Sequence, residues 1–174
     1  MAITTLMGNK IACRRNRGGA SVVGIVPIAG IANVTFAENA VSAITFQSGV
    51  SFANYQSVID KISVTFSGNE VAAKLRLGTM SKESSAVYNE LLDACACGVA
   101  MLVKQNNGAV ALLGVTEEDG LTRPLMTIEG DGNSGEAPTD ENYLDVTIKT
   151  TQPTAIAYLA DELAKNLDSL FTAK

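Results

Sequence analysis

The chain has 174 residues and a net charge of −5, which excludes a basic nucleic-acid-binding surface spread over the whole protein. It contains no histidine, so the commonest general base and metal ligand is missing from any active site. Charged residues make up 18% of the chain, below the roughly 25% that is usual, and a surface with few charges favours burial against other subunits. We expect one domain over residues 1–174.

Short β-strands dominate the prediction for the first half of the chain. The predicted strands cover residues 2–13, 21–28, 31–36, 41–46, 58–67 and 71–77. The last two alternate apolar and polar side chains and are joined by a turn at residues 67–70, which indicates a hairpin. Residues 49–57 are predicted to form an exposed loop that carries Phe52 and Tyr55.

A helix followed by a hairpin is predicted for the middle of the chain. Ser81 is a good N-cap, Glu83 favours the first turn, and Gly98 ends the helix. Its apolar stripe is expected to contain Val87, Tyr88, Leu91, Leu92, Ala94 and Cys95. Two apolar strands follow, one entered by residues 101–103 and the other covering residues 110–115, and Asn107-Gly108 reverses the chain between them.

The last third of the chain combines strands with a second helix. Strands are predicted over residues 121–128 and 143–150, with a flexible loop between them at residues 130–142. A C-terminal amphipathic helix is predicted over residues 154–171. Its apolar positions recur every three or four residues, at Ile156, Leu159, Leu163, Leu167 and Leu170.

The sequence offers little chemistry for catalysis or metal binding. Asp131, Asn133 and Asp140 carry oxygen ligands, but their spacing does not match a known calcium loop, so a flexible turn is the favoured interpretation. The three cysteines are odd in number, and Cys95 and Cys97 are spaced too closely for a zinc knuckle, which favours reduced thiols. We therefore predict no enzyme activity, no cofactor and no metal.

One basic cluster is present near the start of the chain, at Arg14, Arg15 and Arg17. Three interpretations stay open: a phosphate contact, a salt bridge to the acidic surface of a neighbouring subunit, and a solvated turn. The first residues lack the pattern of a secretion signal, and the apolar stretch at residues 20–37 is interrupted by Gly, Pro and Asn. We therefore expect no membrane segment.

Turn residues in the second half of the chain resemble those of a known family. The order is a helix (SKESSAVYNELLDACACG), a hairpin (VAMLVKQNNGAVALLGVTEEDGL), a loop (GDGNSGEAPTDEN) and a strand (YLDVTIKTT). This order resembles the small structural proteins of tailed bacteriophages, especially the tail-tube subunits of Bacteroidetes phages, over residues 58–150. The matching positions that define turns are Gly108, Gly114, Gly120, Gly135, Asp140 and Asn142. The longer C-terminal helix and the absence of hairpin aromatics leave open whether the role is in the tube, terminator, neck or baseplate.

The resemblance implies an α+β, mainly β fold: an antiparallel β-sandwich or half-barrel with one packed helix. It also implies a virion structural protein that assembles in the host cytoplasm as a homo-oligomeric, hexameric ring. Stacked rings would contact other tail proteins and enclose a channel through which DNA passes without sequence-specific binding.

On this reading Arg14, Arg15, Arg17, Asp131 and Asp140 are candidates for subunit contacts or the lumen. The alternative is a monomeric ligand-binding or adhesin-like β-sandwich that uses the Asp- and Gly-rich loop at residues 130–142. The two hypotheses differ in what they expect of the purified protein. A ring subunit self-assembles without a cofactor, whereas an adhesin-like module stays monomeric and is stabilised by calcium or a glycan.

Overall fold

The computed structural model describes residues 19–55, 61–137, 139–152 and 154–171. The predicted strand at residues 2–13 and the Arg14, Arg15 and Arg17 cluster lie outside these residues. The strands are β1 Ala20–Pro27, β2 Ile31–Ala37, β3 Ala40–Phe46, β4 Ala53–Tyr55, β5 Ser63–Ser67, β6 Glu70–Gly78, β7 Val99–Gln105, β8 Val110–Leu113, β9 Thr127–Asn133, β10 Tyr143–Thr151 and β11 Ala157–Tyr158. The α-helices are α1 Lys82–Cys97 and α2 Asp161–Lys165, and short 3-10 turns occupy Ile28–Gly30 and Leu167–Leu170.

The strands form two stacked antiparallel sheets and a separate hairpin. The central sheet has the order β11-β8-β7-β1-β4, and the outer sheet has the order β5-β6-β10-β9. The hairpin β2-β3 covers the face of the central sheet that points away from the outer sheet. The predicted mainly β, sandwich-like fold with a packed helix is therefore confirmed.

The central sheet is buried on both faces, which explains the apolar run at residues 99–103 of β7. Met101 and Val103 belong to the core shared with the outer sheet and α1, whereas Ala100 and Leu102 belong to the core shared with the hairpin. Because neighbouring residues of a strand point to opposite faces, a strand between two cores needs apolar side chains at every position. The hairpin β7-β8 was predicted from this run and its Asn-Gly turn, and it is confirmed.

The outer sheet has one buried face, as its alternating sequence predicts. Val71, Ala73 and Leu75 of β6 pack in the first core with Val146 and Ile148 of β10. The register places these residues opposite one another, with Ala73 paired to Ile148 and Leu75 to Val146. The predicted hairpin of β5 and β6 is also confirmed, because Ser67 pairs with Glu70 across the turn.

Helix α1 packs against the same core and has the predicted ends. The Ser81 hydroxyl accepts a hydrogen bond from the Ser84 backbone N–H, the Ser84 hydroxyl bonds back to the Ser81 N–H, and Gly98 caps the other end. Leu91 and Cys95 are buried as expected. Leu92 was predicted to widen the apolar stripe, but this was wrong, because its side chain is among the exposed large apolar groups.

The predicted C-terminal helix over residues 154–171 is wrong in extent. The chain instead forms β11, the five-residue α2 and a 3-10 turn. The backbone N–H groups of Leu159 and Ala160 bond to the carbonyls of Val110 and Val41, so pairing with neighbouring strands replaces the first helical turns. Leu167 and Leu170 are still buried in the second core. The apolar spacing was therefore a correct guide to burial but not to conformation.

Two predicted loops contain strands. Residues 49–57 were predicted to be exposed, but Phe52 is buried and residues 53–55 form β4 beside β1. The strand predicted over residues 121–128 instead starts at Thr127 and continues to Asn133, through the first four residues of the predicted flexible loop. Pairing with β10 explains this, since it supplies partners for a sequence whose glycines alone favour a turn.

Candidate assembly surface

The outer face of the outer sheet is polar along the two central strands and β9. Residues that pair across the strands point to the same face, and here the pairs join Arg76 to Asp145, Lys74 to Thr147, and Thr147 to Glu129. Asp145 also pairs with Asp131 of β9. The face opposite the core is therefore a surface of mixed charge, suited to contact with water.

A compact ionic cluster lies within this surface. Arg76 Nε donates a hydrogen bond to Asp145 Oδ1 at 2.6 Å, and Lys74 Nζ lies 3.0 Å from Asp145 Oδ2. Arg76 also bonds Glu141 and lies over the ring of Tyr143, with 4.4 Å from its guanidinium carbon to the ring centroid. Arg76 and Asp145 are both buried although they lie on the outer face.

The contacts between Arg76 and Asp145 favour the charged forms of both side chains. Burial of Asp145 acts to raise its pKa, but hydrogen bonds from Arg76 and Lys74 outweigh burial, and the pKa lies below its usual value. The hydrogen bond to Asp145 raises the pKa of Arg76 further above its normal range, against the opposing effect of burial. The cluster thus joins β6, β10 and the residues before β10 through ion pairs and hydrogen bonds.

The outer sheet ends in two strands that each have one neighbour. β5 pairs with β6, and β9 pairs with β10; no other described strand pairs with either of them. The outward backbone N–H and C=O groups of these edges can pair with a strand of another chain. In contrast, the edges of the central sheet are the short β4 and β11.

Exposed apolar side chains lie near both open edges. Phe66 of β5 is 45% exposed, and Leu92 of α1 and Met126, just before β9, are 44% and 55% exposed. α1 and the residues just before it run close along β9, where two residues are glycines. A Cβ on Gly130 would lie 3.0 Å from the Tyr88 ring of α1, and one on Gly132 would lie 3.2 Å from Sδ of Met80, which precedes the helix. The helix therefore lies beside β9, at one edge of the outer sheet.

The four turn glycines singled out in the sequence all adopt a positive φ: Gly108, Gly114, Gly120 and Gly135. Gly114 is the most constrained of them. Its φ is +84°, and a Cβ at this position would lie 2.8 Å from the carbonyl oxygen of Val99. Only glycine avoids both problems here.

The acidic residues singled out in the loop make separate contacts. Asp140 Oδ2 accepts hydrogen bonds from the backbone N–H groups of Glu136 and Ala137, which hold its pKa below the usual value. Asn142 Oδ1 accepts a bond from the Met80 N–H at 2.8 Å, while Asp131 lies exposed on β9. Among the described residues, no group of three or more His, Cys, Asp or Glu is arranged to hold a metal ion.

Sequence reasoning missed Arg76, Asp145 and Glu141. The signal was present in part, because Arg76 and Asp145 fall on the polar face of alternating strands. Nothing in either strand alone, however, indicates that the two pair across the sheet. Which strands are neighbours is a property of the fold, so the cluster could be found only once the order β5-β6-β10-β9 was known.

One described cleft is lined mainly by apolar and uncharged side chains. The cleft beside β3 has a volume of about 330 Å³ and is lined by Ile44, Phe46, Val50, Leu163, Leu170 and neighbouring small or polar residues. It contains no ionisable side chain in its described lining. Acid–base chemistry therefore has no evident group there.

No protein-family model, no curated protein and no solved structure matched the chain. None of the helices in the described residues has the length and apolar character needed to cross a bilayer. Function must therefore be inferred from the residues and geometry of the chain itself.

Proposed function

We propose that this protein is a self-assembling structural subunit of a virion tail. Its copies form a ring, hexameric by analogy with phage tail tubes, and the ring encloses a channel for DNA. The observation that carries the proposal is the outer sheet, which has a polar outer face and, on each side, an edge that no other described strand pairs with. If this sheet continued from one subunit to the next, the backbone N–H and C=O groups of both edges would be hydrogen-bonded and the subunits would close into a ring.

The strand directions suit a head-to-tail ring. Each neighbouring pair in the order β5-β6-β10-β9 is antiparallel, so β5 and β9 of one subunit run in opposite directions. If identical subunits are placed side by side by rotation, β9 of one therefore meets β5 of the next as an antiparallel pair. No change in the subunit's fold is needed.

The two edges carry charges of opposite sign, although Lys61 Nζ also lies 3.7 Å from Glu141 and Glu129 lies 2.7 Å from Lys149 Nζ within one copy. β9 carries Glu129 and Asp131 on its outer face, and Lys61 lies just before β5. Opposite charges across a contact favour one partner and one orientation. The acidic balance of the whole chain also suits a channel that repels the phosphate backbone and leaves DNA free to slide.

Light scattering and negative-stain electron microscopy of the purified protein test the proposal. We expect rings or stacked rings with a uniform central channel, without added cofactor. A protein that stays monomeric across a range of concentrations and salt would contradict self-assembly. A monomer whose melting temperature rises with calcium would instead support the adhesin-like alternative.

Charge reversal at the open edge provides a sharper version with a matched control. The double variant Glu129→Lys/Asp131→Lys should weaken assembly, because the positive edge would then face Lys61 of the next subunit. The double variant Glu117→Lys/Glu118→Lys makes the same change of net charge in the exposed turn after β8, outside the two edge strands. If both variants assemble equally poorly, net charge and not the edge is responsible.

A further inference from the structure

The two open edges expose apolar side chains on the same side of the outer sheet. Phe66 pairs with Val71, which is fully buried in the core, so Phe66 lies on the core side of the sheet. It is nevertheless 45% exposed, because no described strand lies beyond β5. An aromatic side chain on the buried side of an edge strand is what a further strand would cover.

At the other edge, α1 lies on this same core side. It runs antiparallel to β9, since Met80 at its start lies by Gly132, Tyr88 by Gly130, and Gly98 at its end by Met126. Leu92 follows Tyr88 by one helical turn, so it lies along the stretch between Gly130 and Met126. Ile128 is the residue of β9 on this side and in this stretch.

Two constraints limit the possible registers between β9 and β5 of a second copy: the strands run antiparallel, and the core side of one sheet must continue into the core side of the next. An antiparallel pairing that keeps the core side continuous must place core-side residues opposite each other. If Phe66 faces Ile128, all five residues of β5 pair within β9, with Thr65 opposite Glu129. Phe66 then lies beside the exposed Leu92 and Met126.

The neighbouring registers are less favourable. A shift by two residues in one direction brings Ser67 opposite Leu125, whose N–H and C=O are already bonded to Val99. A shift in the other direction brings Phe66 opposite Gly130, where the Tyr88 ring already fills the space, and leaves Met126 uncovered.

The outer face agrees with the first register. Continuing the pairing beyond β5 places Lys61 of one copy opposite Asn133 of the next and diagonal to Asp131. Diagonal side chains on neighbouring strands lie about 7–8 Å apart at the backbone, within reach of a lysine. One register thus matches charge on one face and apolar surface on the other.

We propose that Phe66 of one copy docks between Leu92 and Met126 of a second copy, in an antiparallel pairing that sets Thr65 opposite Glu129. The proposal rests on the self-assembly proposed above and specifies the contact by which it occurs. The partner is a second copy of this chain, identified by complementary edges that a single molecule cannot bring together.

Disulfide trapping tests the register directly. In a background with Cys13 and Cys97 replaced by Ser, the variant Thr65→Cys/Glu129→Cys should form a ladder of covalent multimers under mild oxidation. Directly opposite residues lie about 4.5–5.5 Å apart at Cα, within disulfide range. Within one copy, β6 and β10 separate the two positions by about 14 Å, so an intramolecular bond is excluded.

The matched control is Ser67→Cys/Asp131→Cys on the same two strands. In the proposed register these positions are offset by four residues, about 13 Å, so no ladder should form. Equal ladders from both variants would indicate random collision and overturn the register. Rings without a ladder from the first variant would overturn the register but leave the proposed function standing, whereas absence of both rings and ladder overturns both.

Substitution of Phe66 tests the apolar contact. Phe66→Ser should raise the concentration needed for assembly by roughly tenfold or more, through loss of the buried ring, and Phe66→Leu should restore much of it. Tyr158→Ser removes an exposed aromatic from the central sheet and should leave assembly unchanged. If the Phe66→Ser protein, folded by circular dichroism, assembles like wild type, Phe66 does not dock.

Discussion

The two sheets of this protein differ in what covers them. The central sheet has a core on each face and short strands at its edges, whereas the outer sheet has one core, a charged outer face and two edges that no further described strand covers. A sheet that is buried on both faces contributes strongly to stability, because a substitution in it can disturb the packing of two cores. A sheet with open edges retains backbone groups that another chain can bind. We therefore expect the central sheet to contribute most to stability, and we propose that the outer sheet makes the contacts between subunits.

We expect the largest effect when a buried side chain of the central sheet is truncated. Leu102→Ala in β7 removes a fully buried side chain from the core under the hairpin and should lower the free energy of unfolding by about 2–5 kcal/mol. Leu92→Ala, in the helix beside the outer sheet, truncates a largely exposed leucine and should change it by less than about 0.5 kcal/mol. Denaturant unfolding measures both. Similar losses would contradict the assignment.

Gly114, which follows β8, lies close to the Val99 carbonyl, and a side chain there should have the next largest effect. Gly114→Ala should destabilise the protein by more than about 2 kcal/mol, because the positive φ is unfavourable and the new Cβ meets the Val99 carbonyl. Gly108→Ala has the same sign of φ but open space around it, and should cost only about 1–2 kcal/mol. The difference in denaturant midpoint isolates the steric contribution. If the two variants are equally stable, the close approach is not rigid.

These positions also show what the sequence can predict. The Asn-Gly turn, the helix from Ser81 to Gly98 and the alternation of β6 were predicted because local chemistry determines them. The C-terminal segment was not, since its leucines satisfy a helical period while its backbone pairs with Val110 and Val41. β9 was missed for the same reason, because its glycines favour a turn until β10 supplies hydrogen bonds. Long-range pairing therefore explains both of these errors.

The candidate surface was predictable only in part. Asp131 was singled out from the sequence and lies on the open edge, but Asp140 lies in the loop and caps its backbone. The edge itself, and the side of the sheet to which Phe66 points, depend on strand order. Residue type can suggest a polar or apolar contact, but the neighbours across a sheet are set by the whole fold.

The ionic cluster should give the outer sheet a dependence on acid. Arg76→Met leaves buried Asp145 with Lys74 as its cationic partner and should lower the free energy of unfolding by about 2–3 kcal/mol. Because the pKa of Asp145 is lower in the folded protein, its contribution is present above its unfolded pKa of about 4 and is lost as the pH falls below that value.

Unfolding measured at pH 7 and at pH 3 tests this contribution. The cost of Arg76→Met should be smaller at pH 3, because this lies below the pKa of an aspartate in the unfolded chain and part of the stabilisation from the lowered pKa of Asp145 is lost there. Lys149→Met, which removes the more exposed pair with Glu129, serves as the control and should cost less than about 1 kcal/mol at either pH. An Arg76→Met cost that does not change with pH would show that Asp145 is not its main partner.

The smallest expected effect concerns the loop before β10. Calcium should leave the melting temperature of the wild type unchanged, because one oxygen of Asp140 already accepts two backbone hydrogen bonds, and Asn142 binds Met80. Asp140→Ala should instead speed hydrogen exchange at the Glu136 and Ala137 amides, which lose their acceptor, without changing exchange in the central sheet. Asp131→Ala, on the same acidic stretch but without these bonds, should leave both amides as protected as in the wild type. Protection of the two amides that survives Asp140→Ala would mean that other contacts hold the loop in place.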